Sequence, residues 1–159
     1  TTGRQKQVLQ KHHREIELAR SQDGKTLASS TNEFIKVWDL PSGKERQELK
    51  ARGFRGSLSK DGSLLLMSGN ESVALIELRT GKTREFAKRP AGQLRAAALS
   101  PDGTLAAAGG GDGVLKLYTV ADGKELSKFT GHGNTVTSLV PTDSDPTSIG
   151  KMEIIDRNE

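Results

Sequence analysis

Three histidines, His12, His13 and His132, are the only imidazoles in the chain, and there is no cysteine. His12 and His13 are adjacent, and neighbours on a strand point to opposite faces, so the pair cannot chelate one ion from a strand. The string "RTGKT", Arg79–Thr83, ends as a phosphate-binding loop ends. Such a loop needs a further Gly five residues before Gly81, and a helix after it. Position 76 is Ile and the following residues read as a strand, so a β-turn is expected. "GGGDG", Gly109–Gly113, could wrap an anion with backbone N–H groups, but its flanks alternate as strands do and predict a hairpin. "DSD", Asp143–Asp145, lacks the Gly and the distal Glu of a calcium loop and reads as a solvated turn. Asn70-Glu71-Ser72 is a formal glycosylation sequon with nothing beside it to indicate secretion. No nucleophile, base and orienting group stand together as a catalytic set. The sequence therefore predicts no catalytic residue, no metal site and no cofactor.

The basic residues are more ordered. They gather in Lys11-His12-His13-Arg14, in Lys50, Arg52 and Arg55, and in Lys88, Arg89 and Arg95. Lys plus Arg is 24 and Asp plus Glu is 20, a net charge of +4. Residues 1–14 hold four bases and no acid, whereas residues 141–159 hold five acids against Lys151 and Arg157, so the two ends carry opposite charge.

The elements that must carry these residues come from composition and repetition. Apolar residues are 33% of the 159 and Gly numbers 18, which suits thin layers of short strands rather than one thick core. No apolar run approaches the roughly 20 residues that span a bilayer, so no membrane segment is expected. "TTGRQKQVLQKHH" is polar and basic, unlike a signal peptide, and the cytoplasm is the favoured expectation for a compartment the sequence does not fix.

Asp-Gly recurs at Asp23-Gly24, Asp61-Gly62 and Asp102-Gly103, 38 and 41 residues apart, and also stands at Asp112-Gly113 and Asp122-Gly123. A second turn signal, Gly before Lys or Arg, falls at Gly3, Gly43, Gly81 and Gly123, spaced 40, 38 and 42. Two independent landmarks share one period. Between them lie short alternating or apolar runs: "KTLASS", "SLLLMSG" and "TLAAAGG", then "FIKVWDL", "SVALIEL" and "VLKLYTV". Four strands per unit with frequent turns is an antiparallel all-β pattern.

In "SQDGKTLASSTNEFIKVWDLPSGKE", "SPDGTLAAAGGGDGVLKLYTVADGKE" and "TGHGNTVTSL" the chain resembles the WD-repeat β-propeller family. The family's Trp-Asp ending stands as Trp38-Asp39 and degenerates to Ile76-Glu77 and Tyr118-Thr119; its Gly-His dipeptide stands as Gly131-His132. The resemblance covers nearly the whole chain. It implies an all-β propeller of four-stranded antiparallel blades, about four in this chain, each stable only against its neighbours. It also implies that His13, Trp38 and His132 are structural, with Ser29 or Ser30 and Trp38 as the mates of His13.

The chain divides into four outer–inner–middle–third units, 2–41, 42–79, 80–120 and 121–159. Met152–Asp156 is expected at the third-strand position of the last. Family members usually close with seven or eight blades. Three arrangements stay open: two copies closing an eight-bladed ring as a head-to-tail homodimer, a fragment of a longer propeller, and a closed four-bladed ring. For the homodimer, the strands Gln7–Gln10 and Met152–Asp156 are the expected edges.

In a propeller the outer-to-inner links share one face. The sequence therefore predicts a non-enzymatic protein-interaction scaffold that docks an acidic protein or peptide on a rim of Arg14, Arg52, Arg55, Arg89 and Arg95. The alternatives are a structural subunit whose task is assembly, and an enzyme or ligand binder using the channel mouth. Aromatic residues are 4% of the chain, too few for base-stacking platforms, which argues against nucleic acid.

Overall fold

The computed structural model describes residues 17–31, 33–50, 55–68, 72–88, 94–130, 139–140 and 153–154. The described residues form three four-stranded antiparallel sheets and a strand pair, with no helix. The first sheet is β1 (Glu17–Arg20), β2 (Thr26–Ser30), β3 (Ile35–Asp39) and β4 (Lys44–Leu49). The second is β5 (Arg55–Leu58), β6 (Leu64–Ser68), β7 (Ser72–Glu77) and β8 (Lys82–Lys88). The third is β9 (Leu94–Leu99), β10 (Leu105–Gly110), β11 (Leu115–Thr119) and β12 (Glu125–Phe129). Each is a meander in chain order. A sheet thus holds the inner, middle and third strands of one sequence unit and the outer strand that opens the next.

Local sequence explains each strand's place. The middle strands "LLLMS" and "LAAAGG" are buried along almost their whole length, because another sheet covers each face. Outer strands such as "KERQEL" and "ELSKF" are mostly exposed, and their charges blunt the free sheet edge. The Asp-Gly glycines sit at φ of 68 to 73°, in the left-handed region the turn requires. "GGGDG" is a hairpin turn: Gly113 N–H donates to the Gly110 carbonyl at 3.2 Å, and β10 pairs β11 on either side. "RTGKT" is the turn from β7 to β8, and Lys82 and Thr83 open a strand.

The core lies between the sheets. Ala28, Ile35 and Val37 of the first pack on Leu58, Leu65, Met67 and Ile76 of the second. Leu66, Val73 and Leu75 of the second pack on Leu94, Leu99, Ala106 and Tyr118 of the third. Backbone bonds cross both seams near the Asp-Gly turns, Asp23 N–H to the Lys60 carbonyl at 3.0 Å and Lys60 N–H to the Pro101 carbonyl at 3.1 Å. On its far side the third sheet buries Ala96, Ala98, Ala107, Leu115 and Leu117, next to β13 (Leu139–Val140).

One expectation is corrected. β14 (Glu153–Ile154) pairs directly with β13, Leu139 opposite Ile154 and Val140 opposite Glu153. That is the second-strand position of the other three sheets, not the third. Residues 141–152, which join the two strands, lie outside the described residues. The expected edge strand Gln7–Gln10 lies outside the described residues.

Candidate functional site

Each sheet has two ends. At one stand the repeat-spaced Asp-Gly turns and the Gly-Lys turns; at the other stand the links from outer to inner strand, which carry the basic residues. Arg14, Arg52 and Arg89 lie outside the described residues, as do His13 and His132. Arg55 opens β5 and Arg95 is the second residue of β9, with backbone alone described. β5 and β9 pack side by side, so the starts of these inner strands share one rim. Lys50, just past β4, is exposed toward the same rim.

Trp38 is 5% exposed, and its indole N–H donates to Ser29 Oγ at 2.8 Å. Ser29 and Trp38, both expected as mates of His13, thus bond to each other, while His13 itself lies outside the described residues. Two residues before Trp38, Lys36 is also buried. Its ammonium reaches Glu48 Oε2 at 2.6 Å and Glu45 Oε2 at 3.0 Å, and lies 5.6 Å from the Phe34 ring centre. The Glu48 carboxylate, then Glu45, holds the Lys36 pKa above its ordinary value against the opposing effect of burial. Lys116 repeats the arrangement with Glu125 at 2.8 Å. These pairs fasten outer strands to third strands.

The opposite end is built from a thrice-repeated polar turn. Ser21 Oγ donates to Asp23 Oδ1 at 2.6 Å and accepts from Thr26 N–H at 2.9 Å, while Asp23 Oδ1 accepts from Lys25 N–H at 2.9 Å. Ser59 with Asp61, and Ser100 with Asp102, do the same at 2.7 and 2.5 Å. The serine hydroxyl is the main reason that all three carboxyls titrate below their ordinary value. Carboxylates so committed are turn fasteners rather than ligands for a substrate.

Sequence reasoning missed a second fastener. Asp39, the Asp of the Trp-Asp pair, accepts from the Ser42 hydroxyl at 2.5 Å and from its N–H at 2.9 Å. Glu77 accepts from the Thr80 hydroxyl at 2.8 Å. Thr119 donates to the Asp122 carboxylate, with the roles reversed. The degenerate dipeptides thus keep the turn bond by changing both ends together, a signal visible as the pairs Asp-x-x-Ser, Glu-x-x-Thr and Thr-x-x-Asp.

Between the inner strands, at the Asp-Gly end, lies a cleft of about 360 Å³. Ala19, Gly56, Ser57 and Ala97 line its wall, and Arg20, Gln22, Lys60 and Pro101 stand among the residues around it. Its described lining residues include no carboxylate or imidazole. Among the described residues no three His, Cys, Asp or Glu side chains gather as a metal site.

The family model described as "WD domain, G-beta repeat" matches residues 3–39 and 85–119. No curated protein matches the chain. Among solved structures, the Myceliophteria thermophila Cps50 (Swd1) β-propeller domain is similar with a TM-score of 0.73 at 18% identity, over 83% of this chain and 47% of that one. The RRP9 WD40 repeats give 0.73 at 18%, over 84% and 44%. The Kuenenia stuttgartiensis hydrazine synthase gives 0.66 at 16%, over 77% and 37%. At these identities the likeness is one of fold. The chain spans less than half the length of each of these structures.

Proposed function

The chain is built of WD40 repeats folded as propeller blades, and from that premise we propose a non-enzymatic protein-interaction scaffold that docks an acidic protein or peptide on its link rim. The observation that carries this is topological. β4 to β5 and β8 to β9 are joined at the same end of adjacent sheets, and Lys50, Arg52, Arg55, Lys88, Arg89 and Arg95 all fall in or beside those two links. Arg14 precedes β1 in the sequence. Complementary charge on such a rim steers encounter and selects partners more than it adds raw affinity. The described polar groups that line the cleft are Arg20, Ser21, Gln22, Ser57 and Lys60. Reversal of Arg52, Arg55, Arg89 and Arg95 to Glu tests the proposal against a fluorescent oligoglutamate peptide. Binding should be lost in the variant, and wild-type binding should weaken with salt, since the Debye length is about 8 Å near physiological ionic strength. Equal binding by wild type and variant would overturn it.

A second reading, an assembly subunit that forms half of a ring closed by another copy, is favoured by the leading face of the first sheet, where Leu18 on β1 is 65% exposed.

A further inference from the structure

We infer that Asp112, in the turn from β10 to β11, is a modification site, the residue at which this folded chain isomerises to isoaspartate. An Asp-Gly peptide is open to this chemistry because glycine has no side chain to keep its amide nitrogen away from the aspartyl carboxyl. The nitrogen attacks Cγ, and the new N–Cγ bond closes a five-membered succinimide. The amide proton and the carboxyl OH leave together as water. Water then adds back at one of the two ring carbonyls. Addition at Cγ breaks the new bond and restores aspartate. Addition at the main-chain carbonyl breaks the original peptide bond and leaves the chain running through Cγ. One water leaves and one returns, and nothing is oxidised or reduced.

The chain holds five Asp-Gly peptides, and all five glycines have φ of 68 to 73°. Four of the aspartates are fastened by a hydroxyl. Asp23, Asp61 and Asp102 accept from Ser21, Ser59 and Ser100 at 2.6, 2.7 and 2.5 Å, and Asp122 accepts from Thr119. Asp112 sits in the same kind of turn. Gly113 N–H donates to the Gly110 carbonyl as Gly24, Gly62 and Gly103 N–H donate to the carbonyls of Ser21, Ser59 and Ser100. Gly110 thus stands where the serine stands elsewhere, and among the described residues no hydroxyl donates to Asp112. Its Oδ1 accepts the Val114 N–H at 3.1 Å. The attacking amide is also held less closely, at 3.2 Å against 2.9 to 3.0 Å for the other four glycines. Gly62, Gly103 and Gly113 are all buried, so burial of the glycine does not separate these sites, and Asp112 itself is exposed to water.

Ring closure needs the carboxyl to turn toward the nitrogen, and to be protonated so that its oxygen leaves as water. A hydroxyl bond opposes both, because it fixes the side chain and favours the charged form. The serine or threonine hydroxyl is the first reason that the other four carboxyls titrate below their ordinary value. An isoaspartate at 112 would add one methylene to the main chain of a tight hairpin, just beyond the pairing of Gly109 with Leu115.

Ageing the folded full chain in neutral buffer at physiological temperature tests this. Isoaspartate is located by peptide mass spectrometry after Asp-N digestion, since that protease does not cut before isoaspartate. Isoaspartate at 112 should exceed that at each of the other four sites by about tenfold or more, the factor that one hydrogen bond to a charged group is worth. In denaturant the five sites should age at similar rates. Ser100→Ala should raise isomerisation at Asp102, and Thr119→Val should raise it at Asp122, each in a variant whose circular dichroism melt shows that it is still folded. A folded chain in which another site leads, or in which isoaspartate forms nowhere, overturns the inference. So does a lead of Asp112 that persists undiminished in denaturant, since the turn would then not be its cause. Folded Ser100→Ala and Thr119→Val chains that age as slowly as wild type at Asp102 and Asp122 would overturn it too, because the missing hydroxyl would then not be what exposes Asp112.

Discussion

The seam between the first and second sheets and the leading face of the first sheet are made from the same register rows, yet they end differently. In the seam, Leu58 and Leu65 are buried against Ala28, Ile35 and Val37. On the leading face, the same row holds an exposed Arg20 and a half-buried Leu27. A sheet of this fold does not bury a row by itself; the neighbour does. Stability is then approximately a sum of blades and nearest-neighbour seams, and an end face is where that sum is unfinished. The leading face is not uniform, however. Its inner-strand part, at Leu18 and Arg20, is open, while its third-strand part, at Trp38 and Lys36, is buried.

That split carries the largest expected effect. Trp38→Ala removes a buried indole and its hydrogen bond to Ser29 Oγ, and should cost about 3–5 kcal/mol, the usual range for a buried Trp or Phe. Against a marginal total of about 5–15 kcal/mol, thermal unfolding should show a large downward shift. A melt that barely moves would mean that the leading face is open along its whole width.

The Asp-Gly turns give a graded comparison between seam and end. Gly24, Gly62 and Gly103 all have φ near +70°, so alanine at any of them carries backbone strain of about 1–3 kcal/mol. Their surroundings differ. A Cβ on Gly62 would lie 2.5 Å from Thr26 Oγ1 and 2.6 Å from Thr26 Cβ, across the first seam. At Gly103 it would meet Leu64 Cδ1 at 3.2 Å, and at Gly24 only the Arg20 side chain at 3.7 Å. Melting temperatures should therefore fall most for Gly62→Ala, less for Gly103→Ala and least for Gly24→Ala. Equal losses would show that strain alone decides and that the seam contact contributes nothing.

Much of this architecture was legible because the repeat writes itself twice, once in Asp-Gly and once in Gly-Lys. Seven-residue alternation placed the third strands, and the small residues Ala96–Ala98 and Ala106–Ala108 placed the close-packed inner and middle strands. The fourth unit was misread because only spacing was available there. In "PTDSDPTSIG" no apolar alternation marks a middle strand, so spacing puts "MEIID" third, whereas β14 pairs next to β13. The turn bonds of Glu77 with Thr80 and Thr119 with Asp122 were missed for a different reason. Each residue looks like a lost Asp when read alone, and only the pair preserves the hydrogen bond. The basic links were legible as charge, but charge in a sequence does not say which way a side chain turns.

A smaller effect separates the turns by pH. Asp61 and Asp102 titrate below the ordinary 3.8, held there first by the Ser59 and Ser100 hydroxyls. A depressed carboxyl contributes stability that is present above its unfolded pKa and lost as pH falls through its folded value. Melting should be level from neutrality down to about the ordinary carboxylate range, then decline with acid. Ser100→Ala removes the first donor, so the Asp102 pKa returns toward 3.8 and the acid decline should become shallower. Differential scanning calorimetry across the acid range checks this; an unchanged slope would mean that these hydroxyls do not set the carboxyl pKa values.

The smallest effect is expected at the open inner strand of the leading face. Leu18 is 65% exposed, so Leu18→Ser removes little apolar area from contact and should move stability by no more than about 0.5 kcal/mol in dilute protein. Leu58→Ala removes a leucine from an interior inner strand, at the register position of Arg20 and 8% exposed, and should cost about 2–5 kcal/mol at any concentration. The two leucines differ in one further respect. If another copy covers Leu18, its contribution appears only as that copy binds, and binding to the folded state alone raises the melting temperature with concentration. Wild-type melting should then climb as protein is added, and the Leu18→Ser curve should climb less, so that the gap between them widens. Melts of Leu18→Ser and wild type that stay superimposed at all concentrations would show a leading face that remains in water. A large loss already present in dilute protein would show that the chain itself covers Leu18 in solution, and that the first sheet's two faces are more alike than their exposures indicate.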